Sequence, residues 1–410
     1  MKYATSAFAF LATLPMLTGS AFGSEFLENI LRKAAMENGY KPPQEINIAF
    51  DKDLSNLGRL FFESEQLSFN SDTSCITCHI DKFSSADGLP NAIGVGGHGE
   101  GLTRINSGGA LVPRNTLPMW GRAAQGFNAF FWDGKVEARE GRIISQFGQE
   151  APSANLLEVA IHLPFVEIRE MVVDTEDVNQ ELKKENVDSA RKIQMELTSR
   201  VKADGELALE LAEAYGIAKN DINFQHITSA IRHFFADNFK LMHTKFSKFM
   251  TGEGSLSEDE LQGGIVFYGK GRCSSCHSGP HFSDFDYHSI AFPQAGPGKD
   301  GFGVDYGRFN VTFKASDLYK FRTPPLHNVE HTAPYGHSGS LYFLEEAIVA
   351  HYDPFSLVDV QNLTSRERRE LYARIASTDP DQTIPSDLSK EELQNLVYFL
   401  KTLSFQKNNP

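Results

Sequence analysis

Two Cys-x-x-Cys-His units constrain this 410-residue chain more than anything else in it: Cys75-Ile76-Thr77-Cys78-His79 and Cys273-Ser274-Ser275-Cys276-His277. Together they use all four cysteines of the sequence. Two thiols three positions apart add to the two vinyl groups of one haem, and the adjacent histidine is then held beneath the iron as its proximal ligand. Other uses of the pattern fit less well. A thioredoxin-like pair does not need a following histidine, and two such pairs would be redundant. A zinc site would bring its two knuckles together across a short interval, whereas these begin 198 residues apart. A disulfide inside each unit would be strained. The expectation is two covalently bound haem c groups, attached at Cys75, Cys78, Cys273 and Cys276 and ligated by His79 and His277.

The bulk properties suit a globular chain of two domains. The hydrophobic share of 41% and the charged share of 22% are ordinary for one. Residues 1–23 have the form of a secretory signal: Lys2, an apolar run from Ala4 to Leu17, and the small-residue end Ala21-Phe22-Gly23. The run is shorter than the ~20 residues a membrane span needs, no later stretch is apolar enough for one, and no cysteine near the cleavage site offers a lipid attachment point. Export to the periplasm is expected. The net charge is −14, and removal of Lys2 makes it more negative. That excludes nucleic acid as a natural partner and is compatible with steering toward a basic redox protein or with plain solubility.

Along the chain, helix signals flank both haem units. Ser257 and Glu260 form a capping box ahead of Leu261, Ile265 and Val266, and Ser389 and Glu392 form another ahead of Leu393, Leu396, Val397, Leu400 and Leu403. Segments 27–37 and 224–250 also read as helical, and the charged stretch 172–205 as a solvated helical excursion. Gly- and Pro-rich stretches at 88–118 and 291–303 read as loops. Strand signals are few and short. The fold class expected is mainly α: two cytochrome c-like haem domains with long loops, residues 24–245 and 246–410, after the signal.

A haem that activates an oxidant needs one open iron position, and an electron-transfer haem is usually closed on both faces. For the second haem, Leu344, Ala347, Ile348 and His351 recur at helical spacing, so His351 lies on a buried helix face with Tyr352 beside it and Pro354 ending the helix. A histidine on an apolar face is also a common core residue, so the sixth ligand is open between His351 and Tyr352. No methionine follows Met250, which excludes a Met ligand from the downstream part of this domain. For the first haem, the glycine-rich loop Ala92–His98 offers His98 as a ligand that could swing away, or as a mere loop residue.

On these residues the chain resembles the bacterial di-haem cytochrome c peroxidases and their MauG-type relatives. The shared pieces include Gly58–Phe62, the first Cys-x-x-Cys-His unit, Ile93–Gly97, Pro113–Thr116, Phe131–Gly134 and Glu170-Met171. In the second half they are Cys273–Pro280, Phe321–Leu326 and Thr332–Ser340. The resemblance implies a peroxide site at the first haem, an electron-transfer site at the second, and a calcium ion between the domains. Trp132 matches the tryptophan between the haems. Glu170 matches the distal carboxylate that handles peroxide protons. Asn115, Thr323 and Pro325 match the calcium ligands. The sequence departs from the family pattern in three places. Val95 stands where peroxidases carry a distal histidine and Ala160 where a pocket glutamine is usual. His351 stands where peroxidases carry methionine and MauG carries tyrosine.

Three functions follow. The first is a peroxidase that takes electrons from a small c-type cytochrome or copper protein. The second is a MauG-like oxidase that uses a high-valent di-haem state to modify a partner protein. The third is a non-enzymatic electron carrier, against which Glu170 and Val95 argue. A homodimer is among the assemblies the resemblance allows.

Overall fold

The computed structural model describes residues 19–172, 186–294, 296–378 and 387–405. The expected signal lies outside them over residues 1–18, as does part of the charged excursion, residues 173–185. The chain is mainly helical with few short strands.

Two hydrophobic cores organise it, and each rests on one helix crossing. In the first, α2 (Lys52–Glu63) packs on α6 (Phe224–Asn238), flanked by α3 (Leu156–His162), α4 (Val187–Ala203) and α5 (Gly205–Tyr215). Asp51 starts α2 by accepting from the amides of Asp53 and Leu54, which satisfies donors that a helix end leaves free. The crossing is close because Gly58 has no side chain: a Cβ there would lie 2.1 Å from the Ala230 carbonyl oxygen.

The second core uses the same device. Helix α8 (Glu258–Tyr268) crosses α11 (Lys390–Lys401), and a Cβ on Gly263 would lie 1.8 Å from the Asn395 carbonyl oxygen. Both capping boxes expected from sequence form, Ser257 with Glu260 and Ser389 with Glu392. Helices α7 (Lys245–Thr251), α9 (Leu344–Val349) and α10 (Ser365–Ser377) complete this half. The first helix, α1 (Gly19–Glu37), packs here too, through Leu31 and Ala35, rather than with the residues that follow it. In return, Phe405 at the far end of the chain packs in the first core.

The expected helix 224–250 is two helices. Between α6 and α7 the chain is tied down by paired bonds between Leu241 and the Asn47 side chain, and Thr244 opens a new capping box with Ser247. The strands are short antiparallel pairs: β1 (Ala92–Ile93) with β2 (Leu111–Val112), then β3 (Ala129–Phe130), β4 (Val136–Arg139) and β5 (Arg142–Ser145) as one meander. In the second half β6 (Tyr287–His288) pairs with β9 (Phe321–Arg322), and β7 (Pro297–Gly298) with β8 (Gly301–Phe302). None of the described helices is long and apolar enough to cross a membrane.

Candidate haem sites

Each Cys-x-x-Cys-His unit forms a short 3-10 turn that ends in its histidine. The amides of His79 and His277 donate to the carbonyls of Cys75 and Cys273 at 3.0 and 2.9 Å. This turn puts both cysteines and the histidine on the wall of one cavity. There are two such cavities, each enclosing about 1520 Å³ of space, mouth included. His79 Nδ1–H donates to the Ser85 carbonyl at 2.8 Å, and His277 Nδ1–H to the Phe282 carbonyl at 2.9 Å. A histidine fixed in this way keeps its Nε2 lone pair for a metal. Burial pushes His79 down to about 3. Burial and then the neighbouring His351 push His277 down to about 4. Both rings are therefore neutral, as ligands must be.

The second cavity has a histidine on each side. His351 lines it opposite His277, with ring centres 6.5 Å apart. Two metal–nitrogen bonds of about 2.0–2.1 Å, plus the depth of each ring, span roughly 6.3 Å, so one iron fits between them. His351 Nδ1–H donates to the Ala347 carbonyl at 2.7 Å, the same second bond the proximal histidines make. Helix α9 stops at Val349, earlier than the spacing predicts, and Asp353, ahead of Pro354, has left the helical region. The chain continues as a tight turn, with the His351 amide on the Ile348 carbonyl, and the side chain still reaches the cavity. Tyr352 packs against the second core and is not among the cavity's lining residues.

The first cavity is built differently. His98 is exposed and off its wall, and Val95 is buried behind it, with its amide on the Arg169 carbonyl. What lines the wall instead is Ala160, Glu170, Glu167, Lys135 and, from the second half of the chain, Lys299. Burial, with Glu167 adding to it, pushes Glu170 up to about 7 against the opposing charge of Lys135. Lys135 Nζ sits 2.8 Å from Glu167 Oε2. Trp132 lines both cavities, with its indole N–H donating to the Asn115 carbonyl at 2.9 Å.

Haem fits these residues on an independent ground. Arg122 on the first cavity and Arg322 on the second are buried, and neither has a carboxylate partner among the described residues. Burial, and for Arg122 also the neighbouring Arg322, pulls them down to about 9 and about 10. Uncompensated buried cations are costly, and the carboxylates of a haem supply the missing charge. Burial also lifts the Cys75 and Cys273 thiols to about 12, which suits sulfurs meant for a covalent bond rather than for free-thiolate chemistry. The single three-residue cluster of possible metal ligands among the described residues, Cys276, Asp284 and His288, contains a cysteine of the second Cys-x-x-Cys-His unit and is no separate site.

Asn115, Thr323 and Pro325 all line the second cavity. The Thr323 carbonyl already accepts from the Ser283 hydroxyl at 2.7 Å and from the Arg322 guanidinium at 3.1 Å. A buried cation beside that oxygen opposes calcium there.

The sequence alone did not single out Lys135, Lys299 or Arg122, and it placed Arg322 inside the Phe321–Leu326 piece without giving it a role. Lys135 directly follows the Phe131–Gly134 motif, which is a signal. Lys299 stands in a glycine-rich loop 164 residues further on, and nothing local marks it.

A family model described as di-haem cytochrome c peroxidase matches residues 52–255. Among curated proteins, the methylamine utilization protein MauG of Methylorubrum extorquens is 26% identical over 352 residues, covering 85% of this chain and 77% of that one. The cytochrome c551 peroxidase of Pseudomonas aeruginosa is 27% identical over 298 residues, covering 71% and 69%. Among solved structures, a MauG-like protein associated with microbial copper homeostasis superposes with a TM-score of 0.62 at 22% identity, over 89% of this chain and 92% of that one. The diheme peroxidase BthA of Burkholderia thailandensis gives 0.62 at 18%, over 89% of each. These structural likenesses speak to the fold. The relatives include both peroxidases and MauG, at identities too low to choose between them.

Proposed function

The chain belongs to the di-haem cytochrome c peroxidase and MauG family and is an enzyme of it, and from that premise we propose that it reduces hydrogen peroxide to water with electrons from a small c-type cytochrome or copper protein in the periplasm. The reaction takes up two electrons and two protons and gives two waters. The observation that carries the reading is the asymmetry of the cavities. The second has a histidine on each face, which suits electron transfer. The first has His79 as the only histidine among its lining residues and the Glu170 carboxyl group on the same wall, which suits a substrate.

Haem, when bound, supplies the redox-active iron of each cavity. The protein's part is proton handling and spacing. Splitting an O–O bond without a charged leaving group requires a proton to move from one peroxide oxygen to the other. Glu170 takes it from the first and returns it to the second, and an acid poised near neutrality does both well. Lys135 and Glu167 hold the adjoining wall. Trp132, shared by both walls, shortens the gap that electrons from the His277–His351 side must cross. Steady-state peroxide reduction with reduced small cytochromes and copper proteins tests this: rapid turnover is expected, and inertness toward peroxide overturns it.

A second reading has its own observation. His351 rather than methionine faces His277, and methionine is the ligand that raises a haem potential. With Trp132 on the walls of both cavities, the same protein is suited to share an oxidising charge between them and draw electrons from residues of a partner protein. Negligible turnover with small donors, alongside a long-lived oxidised state after peroxide, marks that outcome.

A further inference from the structure

This inference rests on the reading of Glu170 as the peroxide acid–base group and concerns what controls it. Glu167 lies one turn before it, and the Glu170 amide donates to the Glu167 carbonyl at 3.3 Å. The Glu167 carboxylate is tied to Lys135 Nζ at 2.8 Å. Lys135 is held there by an unusually close fit. A Cβ on its neighbour Gly134 would lie 1.7 Å from the Tyr287 hydroxyl of the second half, so the Trp132–Lys135 turn is pressed against that half. From the same half, the turn between β7 and β8 sends Lys299 to the first cavity, 3.9 Å from Asp133 Oδ2. Asp133 is also bonded to Arg114 at 2.6 Å. The other cations on the wall of this cavity are Arg114, taken up by its two aspartates, and Arg122; Arg169, next to Glu170 in the chain, is exposed. Across the cavity stand Cys75, Cys78 and His79.

We propose that the Lys135–Glu167 ion pair is a positioning device that governs the proton exchange of Glu170, and that Lys299 adjusts it from across the interface. The signs follow from charge alone. An unpaired Glu167 carboxylate repels the Glu170 anion, and the ammonium group of Lys135 cancels that repulsion. Burial opposes the charged form of Lys135, and Glu167, Asp133 and, more weakly, Glu170 together outweigh that desolvation. Each member of the pair thus depends on the other, and both line the space where peroxide must sit.

The test is the pH profile of kcat/KM for peroxide in the haem-loaded enzyme and its variants. A charge at this range moves a neighbouring carboxyl by roughly one unit or more. Lys135→Gln shifts the rising limb to higher pH by about one unit, and Glu167→Gln shifts it to lower pH. Lys135→Arg restores the wild-type position, and Lys299→Gln gives a smaller upward shift. The protonated-carboxyl band of Glu170 in difference infrared titrations moves in the same directions, independently of turnover. A merely structural pair would lower rates at every pH and move neither limb nor band. Limbs that stay put, or that move the same way in both variants, overturn the proposal. If Lys135→Gln fails to take up haem, the downward shift of Glu167→Gln decides. Wild-type rates in Glu170→Gln would instead sink the underlying reading. A slowed Glu170→Gln with unshifted Lys135→Gln and Glu167→Gln would remove the ion-pair proposal alone.

Discussion

Replacing His351 by alanine removes the imidazole whose ring centre lies 6.5 Å from that of His277 across the second cavity. The expected result is conversion of one of the two haems from low to high spin, read in absorption and electron paramagnetic resonance spectra; an unchanged low-spin signal would exclude His351 as a ligand. Glu170→Gln keeps the shape of the first cavity and loses the proton carrier, so peroxide reduction should slow by roughly 10²–10⁴-fold. The pH dependence has a definite sign. Glu170 is raised to about 7 from an ordinary 4.5, so its basic form, and the rate, fall away as pH drops through about 7. The folded protein also holds this proton where the unfolded chain has released it, so Glu170 subtracts from stability as pH rises from about 4.5 to about 7. His351 was legible in the sequence because helical spacing marked its face, even though the helix ends two residues before it. Glu170 was not legible on its own, since a lone glutamate reads as surface charge until Glu167, Lys135 and the cavity wall surround it. Arg122, and the role of Arg322 within its motif, became visible only when the fold left both buried without a carboxylate partner among the described residues.

At the level of elements, the two halves repeat a device rather than a sequence. In each, a helix ahead of the haem unit crosses the last helix of its core at a glycine, Gly58 on Ala230 and Gly263 on Asn395. Gly263→Ala must push α8 and α11 apart, because the obstacle is backbone and cannot swing aside. Overpacking of this kind costs about 1–3 kcal/mol, and the variant should melt several degrees lower with its loss confined to the second haem's environment. An unchanged melting temperature would show that the crossing tolerates a methyl group. Capping boxes made the starts of α8 and α11 readable in advance, since they are local. The crossings were not, because the contact that makes each glycine necessary lies 172 and 132 residues away in the chain. The same reason explains the break between α6 and α7: Asn47, far upstream, ties down Leu241.

On the scale of the whole molecule, the halves are interlocked twice over. Buried ion pairs cross between them. Arg114 bonds both Asp133 and Asp305, which hold its charge well above the ordinary range against the cost of burial, and Arg308 bonds Glu137 and the Asp133 and Gly134 carbonyls. The chain ends are also exchanged, α1 into the second core and Phe405 into the first. Phe405 lies edge-on against Trp120 with ring centres 4.8 Å apart, and its amide donates to Asn328 Oδ1 at 2.7 Å. Asn328 and the Trp120 indole both donate to Ser84 Oγ, and the next residue, Ser85, supplies the carbonyl that fixes His79. A route of direct contacts thus runs from Phe405, just past the last helix of the second half, to the proximal ligand of the first haem. Phe405→Ala should cost about 3–5 kcal/mol in lost packing. Its diagnostic effect is where the spectrum changes. Loosening Trp120 and Ser84 should weaken the hold on His79 and broaden or shift the first haem's signals, while the His277–His351 pair keeps its own. If only the second haem responds, Phe405 serves the core it follows in sequence, and the exchange of ends carries no influence between the sites.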